Sequence, residues 1–143
     1  MYEDSRALAV SRATDDCAGQ INALLALAQV SLARQDLVSA RSEAMGAFSL
    51  AHSCSDSLLE AEAMRTVGDV SEAAGEHEQA IRQYEQGLAL ETMSPNPEIR
   101  AQLHFAMSVA YDAMGDAARA ARERNLAEAV GLPADMEDED SDA

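Results

Sequence analysis

The stretch GDVSEAAGEHEQAIRQYEQGLAL, residues 68–90, decides the fold. Gly75 and Glu76 interrupt an otherwise helical pattern. After them Ala80, Tyr84, Gly87 and Leu88 recur at three- and four-residue spacing, which is one face of a helix. Before them Met64, Val67 and Gly68 mark the same kind of face on another. A Gly between two such runs is a helix stop followed by a helix start. The pattern returns 40 residues upstream and 40 downstream without a gap. Gln35, Gly75 and Gly115 share a column, and Asp36, Glu76 and Asp116 the next. Ala40, Ala80 and Ala120 form a small-residue column, as do Ala47, Gly87 and Ala127. Ala28, Gly68 and Ser108 form a third, each preceded by Leu27, Val67 or Met107. Asp16, Asp56 and Asn96 share a column of favoured N-caps, and Pro97 stands at the first helical position.

Each row therefore reads as helix, tight turn, helix. The spacing predicts first helices near 17–34, 57–74 and 97–114, and second helices near 37–52, 77–92 and 117–130. Gly131 and Pro133 end the last one in the usual order. Antiparallel helices approach closely only where side chains are small. Ala28, Gly68 and Ser108 are accordingly expected to meet Ala40, Ala80 and Ala120. Leu24, Leu27, Met64, Val67, Met107, Ile81, Tyr84 and Leu88 are expected to fill the rest of the interface. Each pair leaves an apolar side that only the next pair covers.

Composition by itself points elsewhere. Leu, Ile, Val and Phe make up only 26 of 143 residues, and the net charge is −16, a combination typical of disorder. Against that, 30 residues are Ala, the strongest helix former. With no Trp, three Tyr and two Phe, a β-sandwich or barrel lacks its building material. No apolar run is long enough to span a membrane, and the acidic start, Met1 to Arg6, is unlike a secretory signal. The negative charge repels phosphate backbones, so nucleic acid is not an expected partner. Cys17 and Cys54 form neither a CxxC pair nor a disulfide-dense pattern, so a reducing, cytoplasmic setting is expected.

The columns resemble the tetratricopeptide repeat. Gly68, Gly75, Ala80, Tyr84 and Gly87 all stand where that repeat has its signature residues. The third row keeps Tyr111, Gly115, Ala120 and Ala127 but has Arg124 where an aromatic is usual. The first row departs most, with Gln35 for the Gly and Ala44 for the aromatic. The family's common period is about 34 residues, and the 40-residue form here is similar to a longer variant. The resemblance implies an all-α fold, a right-handed α-solenoid of antiparallel helix pairs with about seven helices. Three full repeats would occupy 14–131. Residues 1–13 continue the frame, with Ala7 under Ala47 and Leu8 under Phe48, and read as a half-repeat that is either a capping helix or a piece of a longer array. Self-association through that end is a further expectation.

The resemblance also implies a concave groove along the first helices, lined by Asn22, Leu25, Gln29, Glu62, Arg65, Asp69, Glu72, Gln102, Phe105, Val109 and Asp112. Its apolar ends (Leu25; Phe105 with Val109) and acidic middle suit a protein or peptide with basic and apolar residues. A C-terminal carboxylate of the chaperone type would be repelled by Glu62, Asp69 and Asp112. The implied function is a non-catalytic scaffold or adaptor. The alternative is a ligand- or peptide-sensing regulatory module of a bacterial signalling or transcription-control protein.

No phosphate loop, HExxH or nucleophile elbow is present, so neither an enzyme nor a cofactor is expected. His52, Cys54 and Asp56 cluster in one loop, but spacing alone does not make them a metal site, and none is expected. His77 reads as a surface residue and His104 as a partly buried packing residue. Residues 132–143 carry six of the chain's 26 acids and read as a disordered, solubilising tail. A tail folded back on Arg119, Arg122 and Arg124 is the other reading.

Overall fold

The computed structural model describes residues 16–131, so the expected half-repeat at 1–13 and the expected acidic tail at 132–143 lie outside the described residues. Six helices follow one another with no strand among the described residues: α1 Cys17–Ala33, α2 Leu37–Ser53, α3 Ser57–Ala73, α4 His77–Glu91, α5 Pro97–Ala113 and α6 Ala117–Gly131. They pair as the hairpins α1–α2, α3–α4 and α5–α6, and α2 packs on α3 as α4 packs on α5. The first helices α1, α3 and α5 also touch in sequence along one side. This is an all-α solenoid of three repeats.

The turns inside the repeats are one device used three times. Gln35, Gly75 and Gly115 all adopt a left-handed backbone, with φ of 61°, 81° and 81°. Their amides donate to Leu32, Glu72 and Asp112. The amides of the following acids reach one residue further back, to Ser31, Ser71 and Tyr111. This pair of hydrogen bonds satisfies carbonyls that a helix end leaves unpaired. Asp36 and Asp116 then cap the next helix, accepting from the amides of Ser39 and Arg119. Asp56 and Asn96 cap α3 and α5 in the same way, through Leu59 and Ile99. Asp16 differs from the expected cap. Its backbone is not extended, and its carboxylate makes no capping bond.

The small-residue columns do bring the helices together, with a different pairing from the expected one. The first-helix column meets the residue four beyond the Ala column. In the first repeat Ala28 clusters with Ala44. In the second, a Cβ on Gly68 would lie 2.5 Å from Cε1 of Tyr84. The cause is the antiparallel crossing: the mid-point of the first helix faces the mid-point of the second, while Ala40 and Ala80 sit near its start. Ala40, Ala80 and Ala120 are buried all the same. Of the expected interface residues, Leu27 is half exposed, because no element of the described residues lies beyond it on that side of α1.

Cys17 and Cys54 correct a second expectation: they are joined in a disulfide, with Cα atoms 6.5 Å apart. An antiparallel hairpin returns the end of its second helix to the start of its first, so a separation of 37 residues closes the α1–α2 loop. Restricting the unfolded chain in this way stabilises by about 3–4 kcal/mol in the loop-entropy account. Such bonds persist where thiols are oxidised, so the pairing removes the reason for expecting a reducing compartment. No helix of the described residues is long and apolar enough to cross a membrane.

The links between repeats are held by polar side-chain pairs. Glu91, almost fully buried, accepts from Arg100 through Nε at 3.0 Å and Nη2 at 2.8 Å, and from the Asn96 amide at 2.9 Å. Arg100 beside it holds the Glu91 carboxyl below its usual range. The equivalent link between the first two repeats pairs His52 with Glu60 at 3.1 Å.

Gly75→Ala tests the turn device. No atom lies within 4 Å of the added Cβ, so the cost is that of a left-handed backbone alone. Urea unfolding should show a loss of about 1–2 kcal/mol, and unchanged stability would contradict the turn geometry.

Candidate interaction site

The second and third repeats border an open, groove-like cavity of about 770 Å³. α3 contributes Arg65, Asp69 and Glu72 to its wall, and α4 contributes Tyr84. α5 supplies Ala101, Gln102, Phe105, Ala106 and Val109, and α6 closes it with Arg124, Ala127 and Glu128. The alternation of small and large residues on α5 shapes the space. Ala101 and Ala106 recede where a larger side chain would fill it, while Phe105 stands 55% exposed and Val109 43% exposed.

The inner wall is a packed polar triad. Gly68 lets the Tyr84 ring pack closely against α3, and the residue is almost completely buried. Its hydroxyl then donates to Asp69 Oδ1 at 2.5 Å. Arg65, one helical turn before, donates to Asp69 Oδ2 at 3.1 Å. Burial pushes the Asp69 carboxyl above its usual value, an effect only partly offset by Tyr84 and Arg65. The sign follows from linkage: an aspartate raised on folding destabilises in its ionised form, and this penalty is relieved as pH falls through its folded pKa. Tyr84 is raised as well, first by burial and then by the negative Asp69 beside it. Its hydroxyl is therefore locked as a donor at neutral pH.

Around this triad the charges are unequal. Glu72 pairs with His77 at 2.8 Å, and Arg124 pairs across the α5–α6 hairpin with Asp112 at 2.8 Å. Glu128 stands exposed on the wall and pairs with no cation among the described residues. Glu62 lies half-buried on α3, one turn before Arg65. The two arginines are thus each engaged by a carboxylate, and the surplus is acidic.

Six of the eleven expected groove residues, Arg65, Asp69, Glu72, Gln102, Phe105 and Val109, line this one cavity. Asn22 and Gln29 are exposed on α1, away from it, and Asp112 is at its edge only through Arg124. Leu25 is corrected outright: it is a core residue, 7% exposed, packed with Ile21, Ala47, Ala51 and Ala63. In its column the other rows carry Arg65 and Phe105, which are less buried, so the column does not keep one role. Tyr84, Arg124, Ala127 and Glu128 are wall residues that a groove built from first helices alone leaves out. Arg124 did carry a signal, since it stands in the column of Tyr84, whose side chain reaches the first helix.

The remaining polar residues noted in the sequence are engaged elsewhere. His52 faces Glu60, Cys54 is bonded to Cys17, and Asp56 caps α3. His77 is half-buried rather than a plain surface residue, because Glu72 draws it against α3. His104 is mostly buried and pairs with Glu123 at 2.7 Å.

Among solved structures, the chain is similar to the crystal structure of the TPR domain of Arabidopsis FLU. The TM-score is 0.71, with 22% identity over 79% of this chain and 95% of that one. The likeness is one of fold, and the fold is that of tetratricopeptide repeats. No protein-family model matches the chain, and no curated protein does either.

Gly68→Ala tests the triad. The Tyr84 ring must retreat and leave Asp69 without its donor, so stability should fall by about 1–3 kcal/mol. An unchanged melting curve would remove Gly68 from this role.

Proposed function

We propose that the chain is a non-catalytic interaction module. It takes an amphipathic segment of a protein partner into the cavity between the second and third repeats. The observation that carries this reading is the pairing of exposed Phe105 and Val109 with an acidic surplus at one concave wall. An exposed aromatic beside a preformed cavity is the usual form of a binding hot spot. The partner's apolar anchor would enter between Phe105, Ala101 and Ala106. Its Arg or Lys residues would lie along Glu62, Glu72 and Glu128, where Coulomb attraction sets orientation more than affinity. Because Tyr84, Asp69 and Arg65 already hold each other, the wall loses little freedom on binding.

A ligand-sensing role is the second reading. It is favoured by the cavity volume, which falls in the range of small-molecule sites. The two differ in what the site selects. A library of displayed helical peptides panned against the chain should yield sequences with one large apolar residue and flanking Arg or Lys. Phe105→Ala should weaken those peptides by about 1–3 kcal/mol while helicity by circular dichroism is unchanged. Selected peptides with no basic or apolar bias, or unaffected by Phe105→Ala, would overturn the interaction reading.

A further inference from the structure

The two ends of the array are finished differently. α2 covers one side of α3 so completely that Ala63, Thr66, Val67 and Val70 are at most 2% exposed. Moving back 40 residues puts Ala23, Ala26, Leu27 and Val30 on the same side of α1. There Leu27 is 51% and Val30 50% exposed, and both alanines are exposed too. At the other end, α4 presents Ile81, Tyr84 and Leu88 to α5. In α6 the same columns hold Ala121, Arg124 and Glu128, which are exposed. A solenoid needs polar terminal faces to stay soluble. α6 has one, whereas α1 keeps the apolar side of an internal repeat.

We propose that residues 1–13 of this same chain form the second helix of a half-repeat and cover that side of α1. Three facts of register select this occupant. First, α2 ends at Ser53 and α3 begins at Ser57, so the frame ends the covering helix at residue 13, with α1 starting at Cys17. The connection is the same three residues long. Its middle residue is Asp15, where Ser55 adopts a φ of 56°; Asp is among the few residues that tolerate the left-handed region. Second, α2 meets α3 with Ala47, Phe48 and Leu50, which cluster with Leu59, Ala63, Met64 and Val67. The same columns hold Ala7, Leu8 and Val10. Third, the outer column of the second helices, Ser49, Ala89 and Ala129, is exposed in every repeat and falls on Ala9. A short tether makes docking intramolecular, so a modest apolar contact is sufficient to hold it. With the seat filled in this way, this side of α1 is not left open to a second copy.

Leu8 and Ala9 are neighbours in sequence, about 100° apart on an α-helix, and fall in a packing column and the outer column respectively, which makes a paired test possible. Hydrogen–deuterium exchange is followed on the full chain and on Leu8→Asp and Ala9→Asp, with mass measured by light scattering. The full chain should be a monomer with protected amides in 4–13. Leu8→Asp should abolish that protection and speed exchange in α1 at least tenfold, while Ala9→Asp behaves as the parent. Equal behaviour of the two variants, or unprotected 4–13 amides in the parent, overturns the proposal. So does a dimer that Leu27→Asp dissolves, since a second copy would then occupy the seat. None of these readouts involves the cavity, so the proposed function stands or falls separately.

Discussion

The close contact of Gly68 with the Tyr84 ring is the constraint on which the second repeat depends. The missing Cβ lets the Tyr84 ring of α4 pack directly on the backbone of α3. That approach fixes where the Tyr84 hydroxyl ends, and so fixes Asp69 and Arg65 as a rigid wall. Gly87 repeats the device on the other side of α4, where a Cβ would sit 2.9 Å from Cδ2 of Leu103. α5 can then settle close enough for Phe105 to border the same space. Small residues here replace the large aliphatics that build most helical cores. A tally of Leu, Ile, Val and Phe therefore misjudges the chain.

The three repeats share this frame but spend it differently. The first has Ala28 against Ala44, a small pair that leaves no ring to orient a wall. A disulfide closes its hairpin instead. The second has the glycine and tyrosine and carries the polar triad. The third substitutes Arg124 in the tyrosine column, and the arginine reaches across to Asp112 at the rim. The cavity forms between the second and third repeats because only there do a rigid wall, an exposed aromatic and a long polar side chain face one another.

Much of this was legible in the sequence. The positive-φ turns at Gly75 and Gly115, the caps at Asp56 and Asn96, and the six helices follow from residue types whose local chemistry allows few alternatives. Six of the groove positions that the resemblance implies lie together around one cavity. What was not legible depends on contacts between columns. Leu25 and Arg65 share a column, yet the apolar side chain joins Ala63 in the core, while the charged one turns to Asp69 on the cavity wall. The Cys17–Cys54 pairing needs the hairpin's return path, which spacing rules for cysteine do not contain. The walls from α6 need the knowledge that the second-helix column reaches through to the concave side.

The most direct measurement is a spectrophotometric titration of tyrosine ionisation in the folded chain, with Tyr84→Phe assigning the signal of Tyr84. An unperturbed tyrosine ionises near pH 10. With its ring on Gly68 and its hydroxyl bonded to Asp69, Tyr84 should stay protonated well above that pH and ionise only as the helices unfold. If Tyr84 ionises near pH 10 while helicity is intact, the ring is accessible to solvent, and the wall described here does not exist.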